Sequence, residues 1–162
     1  MGRAGQLRTI LRREEGQALA EFALILPILV LLLFGMLEFG KLFNYWLDEA
    51  HLANTGARWA VVDSVPGSGV TLQQFIKSQA DTSELRNGAH VCIGFPSGSH
   101  NVGDPVKVDV TYTTGVPIVT SLINRFFGGG SPASIRVAGS STMRLETPPT
   151  RYSEGNGGTG SC

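Results

Sequence analysis

Gly16–Gly40, GQALAEFALILPILVLLLFGMLEFG, is the stretch around which the chain is organised. From Phe22 to Leu37 it holds no charged residue, its one proline is Pro27, and a glutamate stands at either end, Glu21 and Glu38. As a helix, Phe22–Leu37 covers ~24 Å and Ala18–Phe39 ~33 Å at 1.5 Å per residue. A bilayer's hydrocarbon core is ~30 Å thick, so the stretch reads as a membrane span with the two carboxylates near its boundaries. At mid-bilayer an ionised carboxylate costs at least ~2.5 kcal/mol, and less where it reaches headgroups. Glu21 is thus either a boundary residue that snorkels or a carboxylate held for a partner. Pro27 removes the hydrogen bond to the carbonyl of Ala23 and is expected to kink the helix, which a membrane helix tolerates when neighbours satisfy the freed group.

Working outward, Arg3, Arg8, Arg12 and Arg13 precede the span, whereas only Lys41 and Arg58 lie in the window after it where positive charge counts. The N-terminus is therefore expected in the cytoplasm, with the rest of the chain exported. A cleaved signal peptide needs a small-x-small site after its apolar core; here the core runs into the bulky MLEFGKLFNYW, so the helix is expected to be retained. After Gly40 the apolar residues Leu42, Phe43, Trp46, Ala50, Ala53, Ala57 and Ala60 recur at three- and four-residue steps, with Lys41, Asp48, Glu49 and Arg58 at other positions. This pattern predicts an amphipathic continuation, with Tyr45 and Trp46 at the membrane–water interface. One helix from about Gln17 to Val62 spans ~70 Å. Its small residues Ala53, Gly56, Ala57 and Ala60 suit close packing, either on the protein's own sheet or on another backbone.

The remainder predicts a small α+β head. Thr71–Leu85 reads as a short helix capped by Thr71. His90–Phe95, Pro105–Thr113 and Ser134–Leu145 read as strands. The second alternates most clearly, with Val106, Val108, Val110 and Tyr112 opposite Lys107, Asp109, Thr111 and Thr113. The Gly139-Ser140 interruption in the third suggests a bulge. Val116–Phe127 suits a short apolar helix that either caps the sheet or docks on a neighbouring subunit or the membrane. Glu146–Cys162, rich in Pro, Gly and Ser, is expected to be mobile. The organisation expected is a basic cytoplasmic leader (1–16), a transmembrane helix (17–40), its exported amphipathic continuation (41–62), the head (63–146) and a flexible tail (147–162).

Chemistry-bearing clusters are weak. The 13 basic and 13 acidic residues balance without a clustered basic surface, which argues against nucleic acid. His90, Cys92, His100 and Asp104 match no recurrent zinc spacing. Cys92 with His90 or His51 lacks a third member and an oxyanion-hole signature, and no glycine loop for phosphate is present. Neither a cofactor nor an enzyme activity is expected. Exported Cys92 and Cys162 are able to form a disulfide that pins the tail to the sheet; the open alternative is that Cys162 stays free or pairs between chains.

The stretch RREEGQALAEFALILPILVLLLFGMLEFGKLFNYWLDEAHLANTGARWAV resembles the TadE-like family, the minor pilins or pseudopilins of bacterial tight-adherence (Flp-type) pilus systems. The resemblance rests on Gly16 closing a basic leader, Ala20-Glu21-Phe22-Ala23, Pro27 in the apolar run, Glu38-Phe39-Gly40 after it, and Gly56-Ala57-Arg58 near the helix end. It implies a pilin-like fold and a structural component of a type IV-like pilus, not an enzyme. It also implies cleavage by a prepilin peptidase after Gly16, leaving Gln17 as the new N-terminus, where major type IV pilins carry Phe or Met. Glu21 then becomes the fifth residue, whose carboxylate neutralises the N-terminal amine of a neighbouring subunit. The implied partners are the peptidase, other pilins and pseudopilins, the assembly platform in the inner membrane, and the lipid bilayer. A different class of protein, an unprocessed single-pass anchor with a ligand- or envelope-binding head, would keep residues 1–16 and tolerate loss of Glu21.

Overall fold

The computed structural model describes residues 3–128 and 133–156, with side chains described for 16–125, 128 and 133–156. Helix α1 runs from Arg3 to Val61, passing through Pro27. It therefore starts well before Gln17, and the backbone of the expected leader is helical from Arg3. Beyond it come α2 (Leu72–Ser78), α3 (Ser83–Gly88), β1 (His90–Gly94), β2 (Pro105–Gly115), α4 (Pro117–Phe127) and β3 (Ser134–Arg144). The three strands form one antiparallel sheet in the order β1–β2–β3. The architecture is the expected α+β layout, a long N-terminal helix packed on a small antiparallel sheet.

The core follows from β2's alternation. Val106, Val108 and Val110 are fully buried toward α1, while Lys107 and Asp109 pair on the open face at 3.0 Å. Val91 and Ile93 of β1 extend the buried face, and Leu72 and Ile76 of α2 close it beside α1. From α1, Leu52, Ala53, Ala57 and Ala60 are buried in this core. A Cβ on Gly56 would lie 2.6 Å from Ile76 Cδ1 and 3.2 Å from Val108 Cγ1, so the small-residue stripe is there to let the helix touch its own head. It is covered within the chain and presents no face to another backbone.

Four expectations are corrected. Thr71–Leu85 is two helices, not one. Thr71 forms a capping box with Gln74 on α2, but Thr82 accepts a bond from the Leu85 N–H and starts α3 afresh. The Gly139-Ser140 pair makes no bulge: Gly139 stays opposite Val110 and Ser140 opposite Asp109 in an unbroken ladder. The glycine is needed for space, since an added Cβ would lie 2.5 Å from the Glu49 carbonyl oxygen and the Ala50 nitrogen of α1. Tyr45 does not sit at an interface with solvent or lipid; it is buried edge-on against Tyr112 at 5.4 Å, while Trp46 is exposed beside Phe43. Finally, much of the tail is held. Asp63, in the left-handed region at φ 48°, accepts hydrogen bonds from the Thr150 hydroxyl (2.5 Å) and the Arg151 N–H (2.9 Å). The Tyr152 hydroxyl donates to the Ala60 carbonyl at 2.8 Å, and Gly155 bridges to Ile93. These bonds also satisfy carbonyls left open where α1 ends.

Candidate assembly site

The span carries the residues singled out for processing and assembly. Along Gly16–Val61 the most apolar window, with a mean hydropathy of 2.6, has no fully buried residue. Ile28 and Phe39 are each about two-thirds exposed and Leu24 about three-quarters, a disposition that water penalises and lipid or other helices would not. Phe39 stacks on Phe43, and Phe43 lies tilted against Trp46, forming an exposed aromatic ladder where the span leaves its apolar run.

At the other end, Gly16 has open space around it and Gln17 donates its side-chain amide to Glu21 Oε1 at 3.1 Å. One helical turn separates the two, so both project from the same face and both are exposed. Pro27, half-buried, lies farther along α1. The structure thus brings Gly16, Gln17 and Glu21 together by helical spacing alone and, among the described residues, gives Glu21 no cationic partner. That leaves an acceptor for a charge from elsewhere.

Glu38, the second boundary carboxylate, has a role that sequence reasoning missed. Its Oε1 accepts from the Ile118 N–H at 2.7 Å and its Oε2 from the Val119 N–H at 3.1 Å. It thereby satisfies two of the open N–H groups at the start of α4, which has no cap from its own N-terminal residue Val116. The partners are 80 residues apart, beyond any local motif. Glu49 was missed as well. It is fully buried where α1 meets β3, and neither carboxylate oxygen has a hydrogen-bond partner among the described residues. Burial, and then the neighbouring Asp48, pushes its carboxyl up to about 7; the Tyr112 N–H and Arg136 pull the other way without reaching it in hydrogen-bond geometry. Asp48 itself is satisfied, accepting from the Asp81 N–H at 2.9 Å.

The open face of the sheet forms a shallow polar cavity of about 620 Å³, lined by His90, Cys92, Lys107, Asp109 and Arg136 among others. Among the described residues no group of three or more His, Cys, Asp or Glu is placed to hold a metal ion. His100 packs against Phe95 instead (4.2 Å), and Asp104 accepts from the Asn101 N–H, so the cluster suggested by the sequence is not one site. His51 is exposed on α1. No described cysteine is free, but the Cys162 half of the expected disulfide lies outside the described residues.

Comparison with known proteins bears on α1 alone. The sequence model of the family described as TadE-like protein matches residues 16–58, the segment from the glycine junction to the Gly56-Ala57-Arg58 motif. The TadE-like resemblance read from the sequence is therefore supported over that segment. No curated protein and no solved structure matches the chain.

Proposed function

We propose that the protein is a minor pilin or pseudopilin of a tight-adherence pilus: inserted by its span in the inner membrane with the head exported, trimmed by a prepilin peptidase between Gly16 and Gln17, and handed to the assembly platform to join other pilins. The observation that carries this reading is the uncovered apolar helix with Gln17 and Glu21 presented on one exposed face at its start. After trimming, the Gln17 amine and the Glu21 carboxylate are each costly in lipid but tolerable when paired between subunits, and such pairing favours one axial register of helix on helix. The head, which no family pattern covers, supplies lateral or tip contacts, and a Cys92–Cys162 disulfide pins the last residues over the open sheet face.

The test is the intact mass and N-terminal sequence of membrane-extracted protein made with and without its prepilin peptidase. A start at Gln17 only when the peptidase is present supports the reading; a start at Met1 in both overturns it. One observation favours the unprocessed anchor as second reading. The backbone of α1 is helical straight through the Gly16–Gln17 bond, which a peptidase must unwind before cutting.

A further inference from the structure

α4 is apolar, yet the elements around it leave much of that character unused. It packs on α1 and not on the sheet, so of the two alternatives open from the sequence it does not take the capping one. Val119 and Leu122 are half-buried, whereas Ile118 and Ile123 remain 43% and 42% exposed. The path of the chain decides where this helix lies. β2 travels down α1: Val108 meets Gly56, Tyr112 meets Tyr45, and Thr114–Val116 reach Lys41 and Leu42. Ile118 and Val119 then bond to Glu38, at the end of the uncharged run. Continuing in that direction, α4, ~16 Å long at 1.5 Å per residue, runs beside the half of the span nearest the head.

The exposure of α1 agrees. Between Glu21 and Gly40 the residues with reduced exposure are Pro27, Val30, Leu31, Phe34, Gly35 and Glu38, a single stripe at three- and four-residue steps, while all the others are exposed. Leu122 lies one turn below Ile118, as Phe34 lies one turn below Glu38.

We infer that α4 is a second membrane-contacting element, seated against the span in the head-side leaflet with Ile118 and Ile123 facing acyl chains. The inference rests on the membrane reading of α1. Two features fit lipid as the occupant. Glu38 satisfies α4's leading N–H groups, the backbone groups that hydrocarbon penalises most. Arg125, exposed near the far end, is on a helix that descends from the boundary, and side chains tilt toward a helix's N-terminus, so its guanidinium snorkels back toward the headgroups.

The full chain is reconstituted in phosphatidylethanolamine–phosphatidylglycerol vesicles containing a lipid with a photoactivated carbene precursor on its acyl chain, and adducts are mapped by mass spectrometry. Adducts in both Phe22–Leu37 and Pro117–Arg125 are expected. Adducts in Phe22–Leu37 alone overturn the inference and leave the span intact, making α4 a protein-facing surface. No adducts in either segment overturn the inference together with the membrane reading. As an independent measurement, a fluorophore at Ile123→Cys, in a chain whose own cysteines are replaced by serine, loses its emission to brominated lipid as one at Leu33→Cys does. Retention of emission at position 123 with loss at position 33 overturns it.

Discussion

At the scale of single residues, three carboxylates in α1 or just after its end share a chemistry and differ in surroundings. Glu21 is exposed and accepts a hydrogen bond from its neighbour Gln17. Glu21→Ala is expected to insert and to be trimmed as the native chain is, yet to be missing from sheared pilus fractions; normal piliation by that variant would sink the pairing idea. Glu49 is buried with no hydrogen-bond partner among the described residues, and burial pushes its carboxyl up from 4.5 to about 7. The folded state then binds more protons than the unfolded one between those values, so stability falls as pH rises from about 4.5 through about 7. The ceiling on that loss is about 3 kcal/mol at 1.36 kcal/mol per unit. Glu49→Gln is expected to flatten the pH dependence and to raise the melting temperature at pH 8, read by thermal unfolding in detergent at pH 5 and 8. Asp63 behaves oppositely. Burial raises its pKa, but the Thr150 hydroxyl and the Arg151 and Thr150 N–H groups outweigh this and hold it below the usual range. Its contribution is present at neutral pH and is lost only as pH falls through that lowered value.

At the scale of elements, close approach governs how α1 meets the sheet. Gly139 brings β3 against the α1 backbone at Glu49 and Ala50, and backbone cannot step aside as a flexible side chain does. Gly139→Ala is expected to destabilise the head by about 1–3 kcal/mol, the usual cost of overpacking. Gly94→Ala, at a position with open space around its Cβ, should stay within about 0.5 kcal/mol of the parent. Denaturant titration of both variants checks this, and equal losses would refute the packing account. The periodic strand pattern was readable because β2 alternates cleanly. The break between α2 and α3 was readable only in part, since Thr82-Ser83-Glu84 is a helix-start signal that a single apolar stripe over Thr71–Leu85 obscures. Asp48 and Glu49 looked like solvent-side residues although they fall on the same three- and four-residue spacing as Tyr45, Leu52 and Ala53; that spacing was the signal for their burial.

At the scale of the whole molecule, the chain closes on itself where α1 ends. Asp63, Ala60 and Val61 receive hydrogen bonds from Glu146, Thr147, Thr150, Arg151 and Tyr152, and Gln73 donates to the carbonyls of Ser153 and Gly155. Asp63→Asn, which keeps a residue tolerant of the left-handed region but loses the carboxylate, is expected to loosen this clasp; trypsin should then cut after Arg151 faster than in the native chain. Features that depend on periodicity and charge along the chain are legible without the fold: the uncharged apolar run and its length, the arginines ahead of it, Gln17 and Glu21 one turn apart, and the alternation of β2. Only the tertiary structure decided which polar groups meet across 80 residues or more: Glu38 on α4, Asp63 on the tail, Glu49 stranded between helix and sheet. Local pattern reports which face of an element is apolar, but the partner of a buried polar group depends on how the elements dock, and docking is set by long-range packing.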